Sequence, residues 1–572
     1  MCGRVLATVL GGMAAALVWA GAPADAQDQN ETLQPQPPQA APEPPLPPLP
    51  ALPPAPEAQQ APDMPAPALE ASQPAVLEDA PASADPASGL SAEPAPVDPV
   101  VSIIRAKLSD PALGGKAHAG DVAALASVYA ARTGGPLWVT EMGFSAKGQK
   151  VLFEIEKAGE WGLDAAAFEL PSADVLPATP EAQSLAEIKL DLAILKYARF
   201  ARGGRLTPSE VSKLFDQKPP LRDPKEVLAE IEAAEAPDAY LRSLHPKHEQ
   251  FVGLRQALLT ARGQAGEEGK PTGKSKNIKR ILINMERWRW MPEELGRVHV
   301  LVNSASFRLH VIKDGETIYT DKTLVGTIGY ATPVFSSPMK TIVFNPEWNA
   351  PETVVKENIL PLLQRKRYSI LKTHKLHVSY NGQPVDATKI DWNRVNGLAY
   401  TFSQKSGPHN NLGKVKFLYP NRHVVYMHDT LPVRKKYFKK AKRMVGHECV
   451  RMEKPNRFAE VVLAESNGFT KDRVKELWDK GVNSSIALER EIPVHMIYFT
   501  AVADEGGKVE TFADAYGLDR KLALALFGDA TGFPQPPPEP PKKEPREADA
   551  SPVNRGAGGS DIMRSMQGFF GN

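Results

Sequence analysis

The spacing of apolar residues changes near residues 263–276, from a helical to a strand-like pattern, and this change strongly constrains the fold. Between about residues 101 and 261, apolar side chains recur at every third and fourth position, as at Leu190, Ile194 and Leu195, which is typical of packed helices. From Val298 onward, short β-branched runs alternate with Gly, Asn and Pro, which is typical of strands joined by turns. The sequence therefore predicts an α+β fold, with an N-terminal all-α scaffold domain followed by a mostly antiparallel β domain.

The predicted elements divide the folding part of the chain into two domains. A helical scaffold domain spans 101–262, a flexible linker spans 263–280, and the β domain, which we predict to be catalytic, spans 281–530. Predicted helices lie at 121–132, 146–158, 181–200, 223–234 and 247–262, and predicted strands at 298–302, 307–312, 316–325, 340–344 and 415–419. The interval from about 349 to 411 fits neither pattern well. Because a long insertion beside a catalytic strand is often a lid, we predict a lid of helices and loops there.

The two ends of the chain differ in composition from its middle, because most of the 54 prolines lie there. Residues 27–100 are rich in Pro, Ala and Gln and are predicted to be a disordered tether, and residues 531–572 a disordered tail. Residues 1–26 have one charge, Arg4, then an apolar run, and small residues near the end, which indicates a signal peptide. We favour cleavage over retention as an anchor and therefore predict a periplasmic protein without a stable membrane span. The formal net charge of +1 argues against a nucleic-acid partner.

Cys449 is the only cysteine outside the signal segment, since the other is Cys2. His428 lies 21 positions earlier, at the end of the apolar run 424–427. A strand that presents a histidine and a loop that presents a cysteine can form a nucleophile with its base, because only the thiolate attacks and an imidazole can take the proton. The sequence therefore predicts Cys449 as the nucleophile and His428 as its general base, hydrogen-bonded to the sulfur.

The residues around Cys449 are candidates for stabilising an oxyanion. The backbone N–H groups of the loop from Gly446 through His447 and Glu448 to Cys449 are predicted to form the oxyanion hole. Arg451 could hold a substrate carboxylate or brace this loop, and we favour the bracing role. Glu448 is expected to raise the pKa of the thiol and to tolerate a positive φ less well than glycine would.

Several alternatives remain open at this point. His428, His447 and Cys449 could hold zinc or copper, but no paired ligand signature accompanies them, so we predict no metal. The basic run 434–443 is either a solvated cover or a contact for an anionic polymer such as the cell wall. His374 and His377 are predicted to be surface residues. Asn411 and Asp429 are weaker candidates for substrate binding.

The stretch 407–451, with the blocks 283–292, 332–354 and 492–517, resembles the L,D-transpeptidases with a YkuD-type catalytic domain, in the large periplasmic YcbB-like branch. The resemblance implies an enzyme that joins peptidoglycan stem peptides through a cysteine acyl-enzyme. The cysteine attacks the diaminopimelate carbonyl of a tetrapeptide donor and releases D-alanine, and the diaminopimelate amine of an acceptor stem then completes a 3→3 cross-link.

The resemblance also implies roles for individual residues. Cys449 corresponds to the nucleophile, His428 to its base, His447 and the amides after it to the oxyanion loop, and Arg451 to the arginine that ends the motif. It implies no cofactor, and carbapenems as covalent inhibitors. This chain departs from the usual motif by having Gly446 in place of serine and Glu448 in place of glycine. Alternative functions are a catalytically weakened wall-binding scaffold, an L,D-carboxypeptidase, and the attachment of a protein to the wall by the same site.

Overall fold

The structure is a computed structural model that describes residues 97–110, 117–172, 177–265, 273–504 and 506–535. The predicted signal peptide and most of the predicted tether and tail lie outside these residues. Within the described part, a helical region precedes a β-rich region, so the predicted α+β class is confirmed.

The helical region is built around one long central helix, Pro180–Ala201. Tyr197 and Leu190 on this helix are fully buried and share a hydrophobic core with the surrounding helices. Proline at the first turn and a capping Thr179 that accepts a hydrogen bond from Ala182 fix where this helix begins. The helices of this region are Pro99–Leu108, Ala119–Ala131, Ala146–Glu156, Pro180–Ala201, Pro208–Val211, Pro224–Ala233, Pro237–Ser243 and Glu249–Ala265, and a short hairpin joins β1 (Val139–Thr140) to β2 (Gly143–Phe144).

The sequence predicted a flexible linker over 263–280, and the residues of this segment that the structure describes, 263–265 and 273–280, are helical. Helix Glu249–Ala265 extends into it, and helix Gly273–Arg289 begins within it. Met285 and Trp288 of the second helix are buried in a shared core with the first, and this burial outweighs the Gly- and Lys-rich local composition.

The β-rich region is a closed eight-stranded barrel in the order β11-β12-β13-β5-β4-β3-β14-β6. Its strands are β3 (Val298–Asn303), β4 (Arg308–Lys313), β5 (Glu316–Leu324), β6 (Phe335–Phe344), β11 (Val415–Leu418), β12 (Met427–His428), β13 (Val450–Met452) and β14 (Ser484–Ile497). Neighbouring strands are antiparallel except for β12 with β13 and β3 with β14, which are parallel. The barrel is therefore mostly antiparallel, as predicted, and one of its two parallel pairs carries the candidate catalytic residues.

The predicted lid interval contains a small sheet of its own. Its strands are β7 (Trp348–Asn349), β8 (His377–Tyr380), β9 (Gln383–Pro384) and β10 (Tyr400–Gln404), in the order β7-β10-β8-β9, and its short helices are Glu352–Val354, Val355–Ile359 (a π-helix), Leu360–Gln364 and Ser369–Thr373. Ile359, Trp392 and Phe402 belong to a hydrophobic core separate from that of the barrel. The insertion is therefore a small structured unit, whereas the sequence predicted helices and loops without strands.

The remaining elements after β13 lie outside the eight barrel strands. They are the helices Pro455–Asn467, Lys471–Asp479 and Leu518–Phe527, and the hairpin of β15 (Ala501–Ala503) and β16 (Val509–Thr511). The described residues continue to 535, and Phe533, beyond the predicted boundary at 530, is buried in the barrel core. In the described part of the chain, no helix is both long and apolar enough to cross a membrane.

The helical region also adds a short extended segment to the barrel. Phe215 pairs in parallel with Val334, the residue before β6. The N–H of Asp216 donates to the carbonyl of Val334 at 2.8 Å, and the N–H of Val334 donates to the carbonyl of Leu214 at 2.7 Å. Phe215 is fully buried and packs edge-to-face on Trp290, with ring centroids 5.3 Å apart. This contact attaches the helical region next to the barrel edge that carries the candidate site.

Candidate active site

The two candidate catalytic strands, β12 and β13, present one face to the barrel core and the other outward. In their register Met427 lies opposite Val450, and His428 lies opposite Arg451. Met427 and Val450 are fully buried among the core side chains. Because successive side chains of a strand alternate between faces, His428 and Arg451 share the opposite face.

Cys449 shares this outward face, since it precedes Arg451 by two positions. Cys449 directly precedes β13, and extending the parallel register by one residue sets it opposite Tyr426, two residues along the strand pair from His428. The thiol hydrogen bond is made to the carbonyl of Val424, with 3.9 Å between sulfur and oxygen. The structure thus brings Cys449 and His428 to one face, but the predicted hydrogen bond between them is absent from the described residues. Catalytic hydrogen bonds often form only when substrate is bound.

The imidazole of His428 is buried, with 3% of its surface exposed. Burial, and then the charges of Arg451 and Arg434, move its pKa well below the ordinary value, while backbone hydrogen bonds to Asp429 and Leu412 act in the opposite direction. Within the described residues, its Nδ1 atom has no hydrogen-bond partner. His428 is therefore held as a neutral imidazole with one ring nitrogen available to accept a proton.

The thiol of Cys449 is also held in its neutral form. Burial raises its pKa above the ordinary value, and the charge of Glu448 adds to this, as the sequence predicted. A backbone hydrogen bond from Tyr426 and the charge of Arg451 oppose the rise. A neutral thiol beside a neutral imidazole can react if the imidazole removes the proton while the sulfur attacks.

Arg451 braces the loop before Cys449. Its Nη1 atom donates to the carbonyls of Val445 at 3.0 Å, His447 at 3.5 Å and Cys449 at 3.1 Å. Arg451 is itself buried, with 7% of its surface exposed. Of the two roles predicted for Arg451, these contacts favour the bracing one.

Two threonines hold the remaining carbonyls of the loop. The carbonyl of Gly446 accepts from the N–H of Thr327 at 3.0 Å, and the carbonyl of Glu448 accepts from the hydroxyl of Thr332 at 2.7 Å. In a planar trans peptide the N–H points away from the carbonyl, so fixing the carbonyls also fixes the amides. The N–H groups of Glu448 and Cys449 donate no hydrogen bond within the described residues. They are therefore available to a developing oxyanion.

Gly446, rather than Glu448, carries the unusual backbone conformation of this loop. Gly446 has a φ of +80°, which favours glycine, and an added Cβ would lie 3.1 Å from Nη2 of Arg451. Glu448 is absent from the described non-glycine residues with positive φ. The expected conformational cost at Glu448 was therefore wrong, because the left-handed turn falls two positions earlier.

His447 connects the loop to the insertion. Its ring stacks on Tyr330 with centroids 3.9 Å apart, and the Tyr330 hydroxyl donates to the carboxylate of Glu357 in the insertion. Burial, followed by the charge of Arg451, lowers the pKa of His447 to about 4. Through its stacking on Tyr330, the His447 ring supports the loop.

Asn411 and Asp429, the weaker substrate-binding candidates, lie before β11 and directly after β12. The N–H of Asn411 donates to the side chain of Gln404 at 2.9 Å. The carboxylate of Asp429 accepts from the N–H of Lys414 at 3.0 Å. Both side chains are buried, with 7% of Asn411 and 4% of Asp429 exposed. A role in positioning the β11–β12 pair follows from these contacts.

The basic run 434–443 has two kinds of residue. Arg434 is buried, and its pKa is lowered to about 9 by burial and by the charge of Arg451, whereas the lysines after it are exposed. The run forms a 3₁₀ helix over Pro432–Lys439, against the barrel strand β5. Among the residues that the structure describes, no three His, Cys, Asp or Glu side chains are grouped as metal ligands.

Two family models match this chain. Residues 297–480 match the family model of the L,D-transpeptidase catalytic domain. The chain carries an L,D-transpeptidase catalytic domain. Residues 123–258 match the family model of the scaffold domain, and a scaffold domain joined to this catalytic domain is consistent with the large YcbB-like branch of L,D-transpeptidases.

A relative supports the same family. A Haemophilus influenzae protein named "Putative L,D-transpeptidase" is 32% identical to this chain over 257 residues. The aligned region is 45% of this chain and 51% of the relative, so the chain spans about half the length of that curated protein.

Sequence reasoning missed the residues that support the candidate site from outside the motif. Thr327, Tyr330 and Thr332 come from the turn before β6, and Val424 comes from the loop before β12. Thr332 stands at the start of a block that resembles the family, which was the one available signal. The others depend on barrel closure, because β5 and β13 are neighbours only in the folded sheet.

Proposed function

We propose that this protein is a peptidoglycan L,D-transpeptidase that acts in the periplasm and forms 3→3 cross-links through an acyl-enzyme on Cys449. The observation that carries the proposal is the shared outward face of β12 and β13, where a half-buried thiol lies two residues along the strand pair from a buried imidazole. In the described residues, the buried Nδ1 of His428 has no hydrogen-bond partner and the amides of Glu448 and Cys449 donate no hydrogen bond, which supports their roles as base and oxyanion site.

In the first half of the proposed reaction, His428 takes a proton from the nucleophile and gives it to the leaving group. The sulfur of Cys449 bonds to the diaminopimelate carbonyl carbon of a tetrapeptide donor, and its proton passes to His428. The carbonyl oxygen becomes an oxyanion at the amides of Glu448 and Cys449. The bond to D-alanine then breaks, and the departing amine takes the proton from His428.

The second half of the reaction releases the enzyme. The side-chain amine of diaminopimelate on an acceptor stem attacks the thioester, and His428 takes the proton that the amine loses. The carbon–sulfur bond breaks, and the thiolate of Cys449 recovers that proton. Water in place of the amine gives a tripeptide instead, which is the carboxypeptidase alternative, and an amine on an envelope protein gives attachment to the wall.

The test is muropeptide analysis after purified protein is incubated with tetrapeptide-rich sacculi. We expect free D-alanine and 3→3 dimers, and neither product from Cys449→Ala or His428→Ala. His374→Ala serves as the matched control, because His374 lies in the insertion and its carbonyl bonds to Gln404. Tripeptides without dimers would favour the carboxypeptidase, and binding to sacculi without D-alanine would favour the weakened scaffold.

Carbapenem acylation gives an independent readout of the same thiol. The family resemblance implies that a carbapenem forms a thioester with the nucleophilic cysteine. We expect the intact mass of the protein to rise by one carbapenem, and Cys449→Ala to abolish this increase. An adduct that persists in Cys449→Ala would contradict the assignment of the nucleophile.

A further inference from the structure

We propose that Asp216, in the scaffold domain, is a positioning residue that orients the Cys449 thiol through the loop 420–425. This inference rests on the proposed function only in taking Cys449 as the nucleophile. It assigns the scaffold domain a part in catalysis, in addition to support of the fold.

Asp216 is fixed at the barrel edge by the backbone around it. Its N–H bonds to the carbonyl of Val334, and Phe215 beside it is fully buried. The side chain therefore projects from an immobilised backbone. About a quarter of it remains exposed, at 25%.

The carboxylate of Asp216 holds two consecutive residues of the loop before β12. Its Oδ1 atom lies 2.6 Å from Nη2 of Arg422, and its Oδ2 atom accepts from Nε2 of His423 at 2.9 Å. The His423 ring also lies beside Phe335 of β6, with centroids 5.6 Å apart. The two contacts of Asp216 connect the scaffold domain to the loop, and the contact with Phe335 connects the loop to the barrel.

The loop itself is built around the side chain of Asn421. The Oδ1 atom of Asn421 accepts from the N–H of His423 at 3.1 Å and of Val425 at 3.0 Å, and Nδ2 donates to the carbonyls of Tyr419 at 2.9 Å and Val425 at 2.7 Å. The backbone on both sides of Val424 is thus tied to one side chain.

Val424 is held in a conformation that a β-branched residue rarely adopts. Its φ is +55°, in the left-handed region, and its side chain is 71% exposed. Such residues are strained and persist only where the surroundings impose the conformation. Because burial of the side chain offers no compensation here, the hydrogen bonds of Asn421 and the contacts of Asp216 must impose it.

The strained residue is the one that touches the nucleophile. The carbonyl of Val424 accepts the thiol hydrogen of Cys449, and a backbone hydrogen bond from Tyr426 reaches the same sulfur. A change of φ at Val424 would rotate this carbonyl away. The sulfur would then lose the contact that sets its direction relative to the oxyanion amides.

Removal of Asp216 should therefore slow acylation more than it alters the thiol itself. In Asp216→Ala we expect the single-turnover rate of acylation by a stem tetrapeptide to fall between about five- and a hundredfold, which corresponds to the usual cost of a strained backbone. Alkylation of Cys449 by iodoacetamide should change little, because a small reagent attacks from many directions.

The matched control is Glu230→Ala. Glu230 forms a comparable ion pair with Arg222, 2.5 Å between the charged atoms, but within the scaffold domain. We expect it to leave both rates unchanged and to lower the melting temperature about as much as Asp216→Ala does. If Asp216→Ala fails to fold, Asp216→Asn retains an oxygen for His423 and should show a smaller loss of acylation.

The second arm is rescue by glycine. Val424→Gly allows a positive φ without strain, so acylation in Asp216→Ala/Val424→Gly should recover toward that of Val424→Gly alone. Normal acylation in Asp216→Ala, a parallel loss of alkylation, or a lack of rescue would each overturn the inference. Failure of the wild-type protein to form an adduct at Cys449 would instead overturn the proposed function.

Discussion

At the scale of single residues, burial moves the pKa of Cys449 up and that of His428 down. Both shifts favour the uncharged pair over a thiolate–imidazolium pair. The proton then has to move during the attack, in contrast to sites where the thiolate exists beforehand. The availability of neutral His428 should therefore control how the reaction depends on pH.

The first prediction concerns the pH profile of acylation. A base with a lowered pKa stays active above that pKa and loses activity as the pH falls through it, so the acid limb should lie well below pH 6.5. From about pH 6.5 to pH 8.5 the single-turnover acylation rate should be nearly flat. A rate that increases about tenfold per pH unit across this range would show reaction of a pre-ionised thiolate instead.

The second prediction concerns Thr332, which fixes the peptide between Glu448 and Cys449. Thr332→Val leaves the carbonyl of Glu448 without its donor and should cost about 1–3 kcal/mol of unfolding free energy. The Cys449 amide then loses its fixed direction, so we expect acylation to slow by about tenfold, less than the loss of an oxyanion donor itself.

The control for this variant is Thr320→Val, because Thr320 lies on β5 and its hydroxyl contacts only His310 in the described structure. Stopped-flow acylation and chemical denaturation measure the two effects. Equal acylation rates in the two variants would contradict the role of Thr332.

At the scale of elements, sequence periodicity predicts some parts of this fold well. The long helix Pro180–Ala201 and the strands β4 and β5 have regular apolar patterns and lie close to their predicted positions. The strands of the insertion are short, and β7 and β9 contain only two residues each, too few to establish a period. Helix Gly273–Arg289 was not predicted, because tertiary burial, and not composition, stabilises it.

The candidate site divides in the same way. Cys449 and His428 could be selected from residue type and predicted compartment, because a single thiol and a histidine at the end of an apolar run can be recognised in the sequence. The loop supports at Thr327 and Thr332 could not be selected, because they depend on which strands become neighbours when the barrel closes.

The third prediction concerns the contact between the insertion and the catalytic loop. Tyr330→Phe removes the hydroxyl that bonds to Glu357 but keeps the ring that stacks on His447. If the insertion is a lid, amide hydrogen exchange within residues 349–411 should become faster without a large change in melting temperature. Tyr380→Phe is the control, because Tyr380 is an exposed residue of the same insertion. Unchanged exchange in Tyr330→Phe would contradict the idea that the hydrogen bond from Tyr330 to Glu357 holds the insertion in place.

At the scale of the whole molecule, a buried ion pair joins distant parts of the chain. Arg287, on helix Gly273–Arg289, lies 2.6 Å from Asp519 on the C-terminal helix, and 2% and 0% of these side chains are exposed. The hydroxyl of Thr500 also donates to Asp519 at 2.8 Å. The helix before the barrel is thereby tied to the end of the fold.

The fourth prediction follows from this pair. Asp519→Ala leaves the guanidinium of Arg287 buried without its carboxylate and should cost about 3–5 kcal/mol of unfolding free energy. Arg287→Met combined with Asp519→Leu removes both charges and should cost less than the single change. Chemical denaturation measures both values, and a double variant less stable than Asp519→Ala would contradict this account.

The insertion of Phe215 into the barrel core affects how the enzyme can be dissected. A recombinant fragment that begins at β3 would lack this ring, and deletion of a buried phenylalanine side chain typically costs about 3–5 kcal/mol. The N–H and carbonyl of Val334 would also lose their hydrogen bonds to Leu214 and Asp216 and would be exposed to water. Inhibitor screens that use a minimal barrel would then test a less stable protein. Fragments for drug discovery should therefore begin upstream of residue 214.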